Sequence, residues 1–502
     1  MTTLTTLARA EAVIEGIAQR ITLVRHIHIA GRPLVFIPLA MAGEANAPLA
    51  AMVGDDPDNP TLLIVPQPRN RDQRFAFAAE LADVVVPYIN SFHGAVEATN
   101  KGRATRHRYA DAPQLLVPNP GGVGFTRLFG RSTRFRPTGG DYPVDSSVPL
   151  LGRWLTYFAE RAEHPGSSAL VAMTQALSMH WATGQSPLED AHLAALLAWI
   201  TPPSHMTGTE AAAAAEDPVT WPPAGPATDP TFDNEELAPA MAAYDRAAAT
   251  GSQVSRHRAK LENSLHSQLE PTWRLMWQAI SLLRELPAGA HVAKRWTEDR
   301  DAFTNFTAYL EQGGIPQPRR DGAVAAARKL HHMERALASY DVQRAYDDPM
   351  VMAEYRLTGE AFVGEVTAAH PTRVDSSGKK RVLRPWIAVT TADTVLVTPG
   401  ATLFSPGQPE QQKARVMSVA PKDDGATAVV LELTGGMGRA LTPIPGTVPE
   451  VGQRICYTTL TRSFMPPGIF PSRDETPWTH GGPPAPYEDT SPTGEDAHEE
   501  WS

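Results

Sequence analysis

From residue 350 to residue 462 the chain carries a series of short alternating segments, and that series leaves few folds open. Ala361 to Ala368 and Arg381 to Thr391 place their apolar residues largely in alternation and are joined across Asp375-Ser-Ser-Gly-Lys379. Ala414 to Val419 and Thr427 to Leu433 repeat the pattern across Asp424-Gly425, a dipeptide that tolerates the positive φ a tight hairpin turn needs. Val451 to Tyr457 closes the set. Successive strand side chains point to opposite faces, so each segment has one face to bury and one to leave wet. Five or six such strands predict a small closed barrel of OB or SH3-like type, because closure removes exposed strand edges. Cys456 falls in the last strand and packs there as a small apolar residue. As the only cysteine of 502 residues it excludes an intrachain disulfide and a cysteine-built zinc site, and it fits a reducing compartment.

Before the barrel the hydrophobic period is mostly helical. Residues 4–19 predict an amphipathic helix whose apolar stripe is Leu4, Leu7, Ala8, Ala12, Ile14 and Ile17. Ile21 to Ile29 and Leu34 to Leu39 read as strands of a hairpin turned at Gly31-Arg32-Pro33, and Thr61 to Val65 as a strand buried on both faces. Asn70 is placed to cap a helix running to about Tyr88, and Gln114 to Val117 is a further strand. Helices are expected near 148–162, 167–182 and 187–200, the last opened by the capping box Ser186-Pro-Leu-Glu189. Others are expected near 237–269, 271–286, 292–312 and 322–345. From Glu210 to Asp245 there are eight acids and no base, which reads as a solvated linker or as an acidic strap.

The length suggests about three domains. The expected fold is multi-domain α+β: an N-terminal α/β domain over 1–147, a helical segment 148–200, an acidic Pro/Ala-rich linker 201–236 and a helical domain 237–349. The small β-barrel over 350–462 and a disordered acidic tail over 463–502, with eight acids against Arg473, complete it. No apolar run approaches a membrane span and the first twenty residues lack a signal-peptide pattern, so the expected location is the cytoplasm, without a membrane partner.

Charge is most lopsided between Lys101 and Arg136. Lys101, Arg103, Arg106, Arg108, Arg127, Arg131, Arg134 and Arg136 stand against Asp111 alone, eight bases minus one acid, in a chain whose formal charge is −10. Tyr109, Phe125, Phe129 and Phe135 are interleaved with them, and glycines at 121, 122, 124, 130, 139 and 140 let backbone approach a ligand closely. Guanidinium forks match phosphate oxygens and aromatic faces stack on bases, so these eight residues are the candidate nucleic-acid-binding set. The alternative is a solvated basic loop paired with acids of the same chain.

Catalytic signatures are missing. The sequence holds no Gly-x-Ser-x-Gly, His-Glu-x-x-His or Gly-x-Gly-x-x-Gly motif, and Gly121-Gly-Val-Gly124 lacks the lysine and hydroxyl of a phosphate loop. His26 and His28, two apart on an expected strand, would share a face, yet two ligands do not make a metal site, and neither metal nor cofactor is assigned. The segments Phe362-Val-Gly-Glu-Val366, Arg384-Pro-Trp-Ile-Ala-Val389, Arg415-Val-Met-Ser-Val419 and Val429 to Met437 resemble the accessory barrel of Upf1-like superfamily 1 helicases. That resemblance covers about a fifth of the chain and implies a barrel on a helical stalk that helps guide nucleic acid; no functional residue carries over from it. The motor's Gly-x-x-x-x-Gly-Lys-Ser/Thr loop is absent, so no ATPase activity is implied. The expected function is a non-catalytic DNA- or RNA-binding accessory protein working beside a separate helicase or nuclease. The alternatives are an enzyme with a nonstandard phosphate- or metal-dependent site in the N-terminal domain, and a scaffold.

Overall fold

Alternate residues of one central strand feed two separate cores. In the computed structural model, which describes residues 2–41, 43–44, 47–101, 104–222, 227–378, 380–407, 412–461, 468–471 and 475, the helix α1 (Thr3–Glu15) and an irregular segment precede a mixed sheet. The strands follow as β1 (Leu34–Ala40), β2 (Pro48–Gly54), β3 (Thr61–Ile64), a separate ribbon of β4 (Val96–Lys101) and β5 (Ala104–Tyr109), then β6 (Leu115–Val117) and β7 (Leu170–Ala172). The sheet order is β3-β2-β1-β6-β7, with β1, β6 and β7 parallel and β2 and β3 antiparallel to their neighbours. Every residue of β1 and β2 is buried, which is why these strands lack a polar face.

Leu34, Phe36 and Ala40 face a core closed by α2 (Arg71–Asn90), α3 (Pro120–Thr133) and α4 (Ser147–Glu163). Val35, Ile37 and Leu39 face the other, closed by α5 (Leu193–Ile200), α6 (Gly208–Ala214) and α7 (Val254–Glu285). Each side chain of that size contributes roughly 2 kcal/mol on full burial. The Asn70 cap forms as expected, its side chain accepting from the Asp72 and Gln73 amides at 3.0 and 3.1 Å. By length and composition Arg71–His93 is apolar enough to cross a membrane, but Phe77, Leu81, Val85 and Ile89 of α2 are packed into the core.

Several expectations need correction. Ile21 to Ile29 is not a strand, because most of its bonded amides are satisfied by distant side chains, and those of Ile21 and Arg25 by the His180 and Pro287 carbonyls. Leu23 and Val24 donate to Asp348, His26 to His180 and His28 to Ser168. Thr61–Ile64 is an edge strand with its first residue exposed. Residues 167–182 supply β7 and a short helix, Met173–Ser178, instead of one long helix. The segment 201–236 is not a solvated linker in its described part, since Ala211, Ala212 and Phe232 are buried and α6 carries a full Thr207–Glu210 capping box. Both cores draw on residues from each side of the expected boundaries at 147, 200 and 236. The expected helix 237–269 breaks at Gly251 (φ 67°), whereas Pro271 sits inside the continuous α7, held by Leu265, Leu269, Trp273 and Met276 in the core.

After α8 (Val292–Glu311), α9 (Ala323–Asp347) and α10 (Pro349–Leu357) comes the barrel. Its strands are β8 (Ala361–His370), β9 (Trp386–Thr391), β10 (Thr402–Ser405), β11 (Gln412–Pro421), β12 (Thr427–Gly435) and β13 (Arg454–Thr458), closed in the order β8-β9-β12-β11-β10-β13. Phe362, Val366, Ile387, Leu403, Leu431 and Tyr457 fill it. Most of the acidic tail over 463–502 lies outside the described residues.

Candidate nucleic-acid interface

The stretch expected to be an Arg-rich loop is mostly regular structure in its described part, and its seven described bases fall in three places. Lys101 ends β4, opposite Ala104, and Arg103 lies outside the described residues. On the ribbon Thr99 pairs with Arg106 and Glu97 with Arg108, so these four share a face. Arg108 is engaged: its Nη2 lies 2.9 Å from Glu97 Oε2 and its Nη1 3.3 Å from Asp301. Arg300 of α8 completes the cluster at 2.9 Å from Glu97 Oε1. Hydrogen bonds from Arg108 and then Arg300 hold the Glu97 carboxyl below its ordinary range. The Tyr109 amide donates to Thr304 Oγ1 at 3.1 Å, which pins the ribbon's base to α8. Arg106, two pairs further along the ribbon on the same face, is exposed.

On α3, Arg127 Nη2 lies 2.8 Å from Glu163, and Arg131 is exposed on the last turn. Arg134 is only 3 % exposed; its Nε donates to the Gln317 carbonyl at 2.9 Å and its guanidinium lies over Phe135. Arg136 donates to the Ser132 carbonyl at 2.8 Å and lies over Phe75. The seven described residues therefore do not form one outward face. The glycines also serve packing. A Cβ on Gly122 would lie 2.7 Å from the Val117 side chain, and one on Gly130 would lie 2.8 Å from the Thr156 amide. Asn119 as N-cap and Pro120 at the first helical position were the readable signals for α3, outweighed by four glycines in fourteen residues.

A second basic surface, absent from the sequence-based set, runs around the barrel. His370 pairs with Trp386, Trp386 with Glu432, Glu432 with Arg415 and Arg415 with Thr402, a single row across five strands. The Glu432 side chain is 6 % exposed and takes Arg415 Nη2 on one oxygen and Arg373 Nη1 on the other, each at 2.7 Å. Two cations thus share one anion, and their side chains remain 52 % and 39 % exposed. His370 sits edge-on to the half-buried Trp386 with ring centroids 4.6 Å apart. Lys413, two residues before Arg415, is exposed over Phe404, and Lys380 and Arg381 are exposed on the adjoining turn. The signal in the sequence was the alternation Lys413-x-Arg415 at positions the strand turns outward.

His26 and His28 do not form a pair. The His26 amide donates to His180 Nε2 at 3.1 Å, while His28 stacks on Trp296 with centroids 4.1 Å apart. Burial lowers the His26 pKa and brings His28 to about 4. Among the described residues no three His, Cys, Asp or Glu are placed to hold a metal. Gly121 to Gly124 form the first turn of α3, beside a cavity of about 430 Å³ whose lining includes Arg127, His164 and Gln175. Comparison of the chain with protein-family models, curated proteins and solved structures finds no match.

Proposed function

We propose that this chain is a non-catalytic accessory protein that binds DNA or RNA, chiefly through the outer face of an OB or SH3-like barrel and secondarily through the β4–β5 ribbon. The observation that carries the reading is the row His370, Trp386, Glu432 and Arg415, with Arg373 joined to it through the shared carboxylate. Glu432 fixes two guanidinium groups while neutralising one charge, which leaves donors aimed outward next to an aromatic side chain. A nucleic-acid strand alternates phosphates and bases, and such a surface offers a partner to each. The resemblance to the helicase accessory barrel and the helices α9 and α10 that precede this one support the same reading. Since the sequence lacks a phosphate loop, the strand is moved or cut by a separate helicase or nuclease in the same cytoplasmic assembly.

The test is fluorescence anisotropy with labelled single strands of about 20 nucleotides at low salt. Lys413→Glu combined with Arg381→Glu is expected to weaken binding at least tenfold, and Arg106→Glu severalfold. Reversing Arg134, which is buried, measures stability instead and is unsuited as a binding test. Unchanged affinity in the barrel double variant would remove the barrel from the interface, and with it this function.

A further inference from the structure

Helix α1 leaves part of its apolar side in solvent. Ala12 is its one buried residue, whereas Leu7 is 60 % and Ile14 81 % exposed. Leu7 and Ile14 are two turns apart and so share one side of the helix, and Ile17, also exposed, lies just past the helix end at Gly16. The expected stripe is therefore split, with Ala12 in the core and Leu4 and Ala8 half-buried while Leu7 and Ile14 face solvent. Next to it α1 and α10 wall a cleft of about 770 Å³, lined with apolar side chains that include Leu4, Ala8, Met179, Val351 and Tyr355. Its charged lining is Glu11, Asp341, Glu354 and Glu360 against Arg20 and Arg344, four acids to two bases. An apolar surface rimmed by polar residues is how a protein-docking site is built.

We propose that the cleft and stripe dock an amphipathic helix of a different protein, with apolar residues at helical spacing turned inward and lysines or arginines along its flanks. The walls are two helices, and an apolar helix face between them is the helix-in-groove mode of recognition. Charge selects the occupant. Basic flanks complement the acidic rim, whereas a second copy of this chain on a two-fold axis would bring Glu11 and Glu354 against their own duplicates. An anionic bilayer surface meets the same acids and is repelled by them. The inference does not depend on the nucleic-acid reading, since it uses a separate surface.

The full chain is titrated with two labelled helical peptides of about fourteen residues and the same leucine pattern, one with lysine and one with glutamate at the remaining positions. The lysine peptide is expected to bind saturably and at least tenfold more tightly than the glutamate peptide. Leu7→Asp with Ile14→Asp should remove that binding. Glu11→Lys with Glu360→Lys should invert the preference between the peptides, and this arm decides the matter if the first variant melts early. The proposal is overturned by absent binding, by equal affinity for both peptides, or by binding that ignores these substitutions. It is equally overturned by a dimer in sedimentation that Leu7→Asp and Ile14→Asp dissolve, or by co-flotation with phosphatidylglycerol vesicles that they abolish.

Discussion

His180 is fully buried, with Nδ1 2.6 Å from the Ala176 carbonyl and Nε2 accepting the His26 amide hydrogen. The carbonyl needs a donor, so Nδ1 carries the proton, and the second nitrogen has no place for another. Burial, outweighing the help of that carbonyl, brings the pKa down to about 3. In the unfolded chain the same ring titrates near the ordinary 6.5, so below that pH the unfolded state binds a proton that the folded state refuses. Stability is therefore complete above about pH 6.5 and is lost toward pH 3, by roughly 1.4 kcal/mol per pH unit from this group. His26 is lowered by burial as well and acts in the same direction. Although burial pushes the Asp348 carboxyl up, the His26 ring 3.6 Å away and hydrogen bonds from the amides of Met350, Leu23 and Val24 carry it below the ordinary range, so its contribution also disappears in acid. Urea midpoints should fall between pH 7 and pH 5, and His180→Gln should flatten that dependence; an unchanged slope in the variant would assign the acid sensitivity elsewhere. Gly152 gives a second test at this scale. A Cβ there would stand 2.3 Å from the Arg134 amide nitrogen, so Gly152→Ala is expected to cost about 3 kcal/mol in urea melts.

At the scale of elements, α3 and the ribbon separate arginines that hold the fold from arginines that meet solvent. Arg134→Ala leaves the Gln317 and Pro318 carbonyls without their donor and should cost about 2 kcal/mol of stability without changing polymer affinity of the folded protein. Arg106→Glu should do the reverse, and the two variants compared by melting and by anisotropy test the division. The same contrast explains what was legible beforehand. Asn70 and α2, the helices at 147–163, 292–311 and 323–347, and five of the six barrel strands announce themselves through local period and caps. The Ser186–Glu189 box forms, with Ser186 N donating to Glu189 at 2.7 Å, yet it opens only a single 3-10 turn, and α5 begins after it at Leu193. Residues 21–29 were illegible because their hydrogen-bond partners lie at positions such as 168, 180 and 348. The ribbon was missed because the sequence between its two strands lacks the Asn-Gly or Asp-Gly signature of a hairpin. The barrel's cationic row was missed for a different reason: its members come from separate strands and meet only through register. Arg373 and Arg415 become neighbours by sharing Glu432.

The whole molecule is a two-core body with a barrel fixed to it, and the joint is made by carboxylates. Asp348 ends α9, caps α10 through the Met350 amide at 2.8 Å and holds the Leu23 amide of the body at 2.6 Å. Arg356 of α10 grips Asp393 of the barrel with two hydrogen bonds of 2.7 Å, and Asp393 also takes the Val363 amide at 2.7 Å. Tyr346 adds a hydrogen bond to the Leu460 carbonyl at 2.6 Å. On the proposed function, a barrel held in this way would keep its basic row at a set distance from the β4–β5 ribbon, and a strand long enough to reach both would gain from the fixed spacing as linked sites do. Loosening the joint lowers the effective concentration of the second site without touching the first. Arg356→Ala should therefore reduce affinity for long strands by about tenfold while leaving short ones unaffected, whereas Lys413→Glu with Arg381→Glu should weaken both. A length series of oligonucleotides measured by anisotropy separates the cases. If Arg356→Ala lowers affinity equally at every length, the barrel acts alone and the ribbon takes no part in holding the strand.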